Sequence, residues 1–427
     1  MIKKVVKTKK LRGEIIIPAD KSVSHRAIMF TSLAKGKSII SNFSSGADCW
    51  STLNAFRSLG VEINEIDNKT IEVVSTGQLK PSIAPIDMGN SGTTTRLLSG
   101  ILAGQDFNSV LVGDTSLSKR PMKRIIEPLS LMGAEIESVD GHAPLTIKGH
   151  KLQGITYVSK LSSAQVKSCI LLAGVNERTE GKTTYIEPVI SRNHTELMLK
   201  YLGANIVQEG SKTTILPSKL HAADIEVVGD ISSAAFFIVA GLIVEGSYFI
   251  IKSVGINETR TGILDVVKRM GGEICILNQR ELAGELVADI KVKYTNNLKC
   301  CEISGKDIPR LIDELPVIAV LASQAEGETT IRDAEDLRNK EADRITCLVK
   351  ELRKIGVNIE ELPDGFIVQG KHNLRGDAEL EVYHDHRLAM SFYVAGLVCE
   401  KEIAIKDFEW TNISFPEFES LMKSLDQ

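Results

Sequence analysis

One ending recurs five times along this chain: Leu59-Gly60-Val61-Glu62-Ile63, Met132-Gly133-Ala134-Glu135-Ile136, Leu202-Gly203-Ala204-Asn205-Ile206, Met270-Gly271-Gly272-Glu273-Ile274 and Ile355-Gly356-Val357-Asn358-Ile359. In each, an apolar residue closes the buried face of a helix, glycine supplies a left-handed cap, and an alternating segment starts a strand. Apolar helix-like runs beginning near His25, Thr94, Gln165, Ser233, Glu314 and His386 recur at a spacing of about 70 residues, so the chain reads as six repeated β/α units. The sixth ends in a helix-like run, 415–425, with no room for a last strand. Strands at residues 5–7 and 13–17 would close that half of the protein.

A second symmetry lies above the first. Pro18-Ala19-Asp20-Lys21-Ser22 opens the first unit and Val228-Gly229-Asp230-Ile231-Ser232 opens the fourth. This places domain crossings near Ala19 and Gly229: an inserted domain, 19–228, with units one to three, and a discontinuous domain, 1–18 plus 229–427, with units four to six. Two crossings so alike imply closure by a hinge around a ligand in the cleft between three units and three.

At 427 residues, 43% hydrophobic and 25% charged, the chain has the composition of a globular protein of more than one domain. Its formal charge of −4 offers no global attraction to nucleic acid or an anionic membrane, so any anion must be held by local cationic clusters. The apolar runs 15–17 and 234–244 are too short for a signal peptide or a membrane span. Seven cysteines without a C-x-x-C pair point to a reduced, cytoplasmic protein with buried thiols. His384-x-His386 lacks the clustered partners of a metal site, and Trp50 and Trp410 read as core. A ring-shaped clamp is also built from β/α repeats, but its basic residues should recur in every unit. Here the charges gather at different unit junctions, which favours a ligand site.

Asp20-Lys21-Ser22-Val23-Ser24-His25-Arg26 leads into an apolar helix. Ser and Asp cap such a helix, its N–H groups and dipole attract an anion, and Lys21 and Arg26 add full charges. An ordinary capped helix would account for the segment equally well. Other stretches carry similar chemistry: Gly89-Asn90-Ser91-Gly92-Thr93-Thr94-Thr95-Arg96, Gly113-Asp114-x-Ser116-Leu117-x-Lys119-Arg120-Pro121-Met122, Ser163-Ala164-Gln165-Val166-Lys167-Ser168, Ser191-Arg192-x-His194-Thr195-Glu196, Asp313-Glu314-x-Pro316, Lys340-Glu341-x-Asp343-Arg344 and Asp385-His386-Arg387-x-Ala389-Met390.

Together these stretches resemble the signatures of the 5-enolpyruvylshikimate-3-phosphate synthases over essentially the whole chain. The resemblance implies a two-domain enolpyruvyl transferase fold of the α/β class, an inside-out α/β barrel with three units per domain. It also implies transfer of an enolpyruvyl group from phosphoenolpyruvate to shikimate 3-phosphate by addition and elimination, on the route to chorismate and the aromatic amino acids. The reaction needs acid–base groups and no redox or metal cofactor.

By the same resemblance, Lys21, Asn90, Gly92, Arg120, Gln165, Arg344 and Arg387 take phosphoenolpyruvate. Lys21, Ser22, Arg26, Ser163, Ala164, Gln165, Arg192, Asp313 and Lys340 take shikimate 3-phosphate. The charges fit, since the planar fork of arginine meets carboxylate and phosphate at two points, and Gly92 lets backbone N–H groups approach an oxygen. Asp313 is expected as the base for the substrate hydroxyl. Glu341, with Lys21 in competition, is expected to deliver a proton to carbon. Arg344 beside Glu341 would favour the ionised form of the donor.

Two departures resemble the divergent second bacterial class of the family. Ile413-Ser414 precedes Phe415-Pro416 where many members have Lys, and Asp336 stands where many have Asn. Arg192 is the residue expected to replace the missing charge. Leu97 stands where members sensitive to glyphosate usually have Pro, which implies partial tolerance of that inhibitor. The related transferase acting on UDP-N-acetylglucosamine uses a loop cysteine, and the stretch 113–122 has none. That enzyme and a non-catalytic, clamp-like binding protein are the alternatives. A monomer is expected.

Overall fold

The computed structural model describes residues 1–371 and 373–427. The chain divides into two compact units. The insert lobe comprises Ala19–Val228 with the short segment Glu281–Glu285, and the terminal lobe comprises Met1–Pro18, Gly229–Arg280 and Leu286–Gln427. Among the described residues no helix is long and apolar enough to cross a membrane.

Each full repeat runs strand, inner helix, strand, outer helix, hairpin. In the second, Ile86–Asp87 is followed by helix Gly92–Ala103, strand Ser109–Val112, helix Lys123–Leu131, and strands Glu135–Val139 and His142–Lys148. Ile86–Asp87 pairs parallel with Ser109–Val112, which needs the helical crossover between them. His142–Lys148 pairs antiparallel with both Ser109–Val112 and Glu135–Val139. Five sheets have four strands, and the sixth has three.

The sheets are completed by chain distant in sequence. Ile225–Glu226 joins Gly36–Ser41 in the first repeat, and Arg12–Ile16 joins Tyr248–Gly255 in the fourth. Lys3–Val5 pairs with Ile403–Ile405 in the sixth. The strand expected at residues 5–7 therefore lies earlier, because Val5 is buried against the sheet whereas Val6 turns to solvent.

All five recurring glycines, Gly60, Gly133, Gly203, Gly271 and Gly356, have φ between 79° and 96°. Each follows a helix that stops one residue before the apolar member of the motif, as Ala47–Ser58 does before Leu59. The inner helices start at Lys21, Gly92, Ala164, Ile231, Leu315 and His386. Most begin ahead of the apolar runs read from sequence. The first turn is polar and is fixed by caps such as Asp20, Ser91, Ser163 and Asp230, so the apolar pattern starts only after it. The run 234–244 covers most of Ile231–Ile243, a helix buried on every side, and its C-cap Val244. Helices Gly92–Ala103 and Ala164–Val175 pack backbone to backbone: a Cβ on Gly100 would come within 2.1 Å of the Cys169 carbonyl oxygen.

Not all thiols are interior. Cys49, Cys169 and Cys399 are buried, but Cys275 is exposed on a hairpin and Cys300, Cys301 and Cys347 are partly so. Trp50 and Trp410 are half-buried, packed on Phe43 and His384.

Candidate active site

The polar first turns of the inner helices carry most of the chemistry singled out in the sequence. In the insert lobe, Asp20 caps helix Lys21–Leu33 by accepting from the Val23 N–H at 2.9 Å. Lys21, the first residue of that helix, has its side chain 35% exposed and pairs with Asp48 at 2.5 Å. Burial works to raise the Asp48 carboxyl, but Lys21 outweighs it and holds it below its ordinary range. Ser22 is half-buried, and its carbonyl accepts from Arg26 Nη1 at 2.9 Å. Arg26 donates through Nε to Thr195 at 2.8 Å and through Nη2 to Ser168 at 2.9 Å. Burial brings its guanidinium down to about 10, which leaves it a cation at neutral pH. His25, from the same motif, is a buried ring that burial and Lys21 hold down to about 3, so it is neutral. Its Nδ1 meets Thr52 at 2.6 Å.

Gly92 opens the second inner helix. A Cβ there would stand 3.2 Å from Arg96 Nη1 and 3.3 Å from Arg120 Nη1, so the bare backbone is what lets two guanidinium groups converge. Arg120 donates to the Asn90 carbonyl at 3.2 Å and to its side-chain oxygen at 2.5 Å. Asn90 in turn donates to Asp114 at 2.7 Å. Gln165 and Arg96 bond at 2.5 Å, and Gln165 donates to Thr93 at 3.1 Å. Ser163 caps the third inner helix, whose first residues Ala164 and Gln165 are half-buried. Arg192 is half-buried on the segment before helix His194–Tyr201. Leu97 is fully buried in the second turn of its helix. A proline there would remove an interior helical hydrogen bond.

The terminal lobe gathers its five candidates around one carboxylate. Asp313 lies 3.4 Å from Arg344, 3.7 Å from Lys340 and 4.0 Å from Arg387, and its carbonyl accepts from Arg387 at 3.3 Å. Arg344 is 1% exposed and spends its fork on protein groups: Nε on Asp385 and Nη2 on Glu341, both at 2.7 Å. Burial lowers this guanidinium's hold on its proton, yet Asp385, Glu341 and Asp313 together raise it. The same contact acts on Glu341. Burial would raise that carboxyl, but Arg344, helped by Arg387, brings it down to about 2. Arg387 is the more open arginine of the two.

Several residues of these clusters were missed from sequence. Asp48 sits in the first turn of an outer helix, where an acid reads as a dipole partner, and its pairing with Lys21 follows no period. Arg96 lay in a quoted motif but was read only as flanking. Asp385 was visible as a cap; that its second oxygen fixes Arg344 was not. Lys167 and Ser168, one turn past Ser163, lie in a quoted motif without an assigned role, and both are buried polar partners. Glu285 reaches His194 at 2.7 Å from a hairpin far along the chain. Asp336 is exposed, and His384 stacks on Trp410 with ring centroids 4.6 Å apart.

Residues 5–422 match the family model for EPSP synthase (3-phosphoshikimate 1-carboxyvinyltransferase). The chain belongs to the EPSP synthase family. It is 52% identical to the 3-phosphoshikimate 1-carboxyvinyltransferase of Thermoanaerobacter sp. (strain X514), with 97% of each chain covered. It is 51% identical to that of Thermodesulfovibrio yellowstonii, with 99% covered. Among solved structures, EPSP synthase from Acinetobacter baumannii superposes with a TM-score of 0.92 at 41% identity, covering 100% of this chain and 98% of that one. The enolpyruvyl transferase NikO from Streptomyces tendae shares the fold, with a TM-score of 0.80 at 18% identity over 99% of this chain and 97% of its own. The six-repeat, two-lobe α/β architecture is thus that of the EPSP synthases and, more widely, of enolpyruvyl transferases.

Proposed function

We infer that this chain transfers the enolpyruvyl group of phosphoenolpyruvate to the 5-hydroxyl of shikimate 3-phosphate, giving 5-enolpyruvylshikimate 3-phosphate and phosphate. The observation that carries this is family membership along residues 5–422. The reaction belongs to the shikimate route to chorismate, and we assign it to a cytoplasmic monomer.

In this reading, shikimate 3-phosphate is held by Ser163, Ala164 and Arg192 at its phosphate end and by Lys21, Ser22 and Arg26 at its carboxylate end. Gln165, Asp313 and Lys340 meet its hydroxyls. Phosphoenolpyruvate is held by Lys21, Asn90, Gly92, Arg120, Gln165, Arg344 and Arg387. Four of these are cations, which offset the cost of taking a phosphate and a carboxylate out of water. Asp313 accepts the proton of the 5-hydroxyl as its oxygen bonds to C2 of phosphoenolpyruvate. A proton added to the methylene carbon completes a tetrahedral adduct. Loss of a proton from the new methyl group, with departure of phosphate, restores the double bond.

Proton delivery is where geometry refines the sequence reading. A carboxyl held at about 2 by Arg344 is almost wholly ionised at neutral pH, so substrate charge would have to offset Arg344 before Glu341 could act as an acid. Lys21, an ammonium, needs no such change. We therefore favour Lys21 as donor, with Glu341 holding Arg344 in place. Glu341→Gln should then keep kcat within about tenfold of wild type, ~1.4 kcal/mol of barrier. A drop of more than about 100-fold in kcat returns the role to Glu341.

The reaction itself is tested by phosphate release from phosphoenolpyruvate with shikimate 3-phosphate or with UDP-N-acetylglucosamine. Release is expected with the first alone; release only with the nucleotide sugar overturns the reading.

A further inference from the structure

The insert lobe contains a buried ion cluster that the reaction does not use directly. Lys167 is 0% exposed and pairs with Glu187 and Glu196, each at 2.8 Å. Its ammonium also donates to the Ser191 carbonyl at 3.1 Å. The Ser191 N–H donates to the Glu187 oxygen that holds Lys167, at 3.0 Å. Both backbone groups of Ser191 are thus gripped by one ion pair. A second grip lies just upstream, where the Ser162 hydroxyl donates to the Val189 carbonyl at 2.6 Å and accepts from the Val189 N–H at 3.0 Å. The segment 187–191 is therefore fastened at two points to the start of helix Ala164–Val175, the helix that carries Ser163 and Gln165.

A buried pair of this kind seldom adds net stability over apolar residues of the same volume, because desolvation consumes most of the attraction. What it supplies is direction, because hydrogen-bond donors of the ammonium have fixed partners. Here Glu187 and the carbonyl immediately before Arg192 accept those bonds, and Glu196 adds an ion pair. We infer that Lys167, acting through Glu187 and Ser191, is a positioning residue that sets the Arg192 side chain relative to Ser163, and hence the affinity for the phosphate of shikimate 3-phosphate. This rests on the reading of the reaction given above. Lys167 makes no contact with substrate; its effect passes through Arg192.

The test is a double-mutant cycle on the full-length enzyme, with initial rates measured against each substrate. Arg192→Ala and Lys167→Met should each raise KM for shikimate 3-phosphate at least tenfold, with kcat and KM for phosphoenolpyruvate within about threefold at saturating shikimate 3-phosphate. The double variant should be no worse than Arg192→Ala alone, since one effect acts through the other. Lys167→Met leaves two carboxylates buried; if it does not fold, Lys167→Met/Glu187→Gln replaces it in the same cycle, leaving Glu196 as counter-charge to the buried Arg26. Effects that multiply in the double variant, or a change in KM for shikimate 3-phosphate below twofold, would overturn the assignment. Absence of turnover with shikimate 3-phosphate in the wild type would overturn the reaction and this inference together, whereas multiplying effects in a normal wild-type background would overturn this inference alone.

Discussion

The two lobes open their first inner helices with the same local device and use it oppositely. Asp20-Lys21-Ser22 begins helix Lys21–Leu33, and Asp230-Ile231-Ser232 begins helix Ile231–Ile243, each with Asp as the cap. In the terminal lobe the turn is closed. Ile231 and Ser232 are buried, Ser232 donates to the buried Glu314, and Arg260 donates to Asp230 at 3.1 Å and to Ser232 at 2.7 Å. In the insert lobe Ile231 is matched by Lys21, Ala235 by His25 and Phe236 by Arg26. There the cation is carried by the helix itself, on a side chain that solvent still reaches. A duplicated helix start thus becomes structural when its counter-charge comes from inside the protein, and stays open to solvent when the cation sits on the turn itself.

The comparison breaks most simply at Lys21. Lys21→Ala should lower kcat/KM by at least about 10³-fold, ~4 kcal/mol of transition-state stabilisation. The urea midpoint should barely move, because a partly exposed ion pair contributes about 1 kcal/mol or less to stability. Turnover within tenfold of wild type would show that Lys21 is as structural as Ile231. The mirror experiment is Arg260→Met, which strands Asp230 without its cation. It should cost about 3 kcal/mol of stability while kcat of the folded fraction stays near wild type. A loss of kcat with unchanged stability would erase the contrast between the lobes.

What could be read in advance follows the range of the interactions. The glycine endings depend on local pattern and were legible, and the inner-helix starts and the N-terminal strand were legible to within a few residues. The candidate residues of the terminal lobe were named from motifs, and they do converge on Asp313. What local pattern could not convey is who neutralises whom. Arg344 reads as a ligand clamp in sequence but is buried among three carboxylates. Asp48, Lys167 with Glu187, and Glu285 find their partners across repeats, where neither helical nor strand periodicity relates them. The thiols failed for another reason. A strand such as Glu273–Leu282 presents alternate residues to solvent, so Cys275 is exposed whatever its own preference.

A smaller effect separates the two helix starts by pH. His25 is buried neutral at about 3 where the terminal lobe has Ala235, and His386, which opens the sixth inner helix, is held by burial at about 4. Both values lie below the ordinary 6.5. Above that value neither state binds the extra proton and stability is unaffected; as pH falls below it, the unfolded chain takes up protons that the folded chain refuses. Stability should therefore decline below pH 6.5 until the folded values are reached. At pH 5.5 each ring should cost about 1.4 kcal/mol. Urea titrations at pH 7.5 and 5.5 measure the sum, and His25→Asn should remove about half of it. A flat profile would mean that His25 is as inert as Ala235.

The smallest expected effect concerns Gly92, which opens the second inner helix where the fifth repeat has the buried Leu315. A Cβ on Gly92 would meet only the far ends of Arg96 and Arg120, at 3.2 and 3.3 Å, so the neighbours can yield by a few tenths of an ångström. Gly92→Ala should fold normally. It should raise KM for phosphoenolpyruvate about threefold, because Arg120 must shift from the position set by Asn90, with kcat little changed. Glyphosate, longer than phosphoenolpyruvate, should suffer more, so the ratio of its inhibition constant to that KM should rise above the wild-type value. If the ratio falls instead, the space over Gly92 is not what limits the longer ligand. The openness of this lobe would then lie in its cations alone, as it does at Lys21.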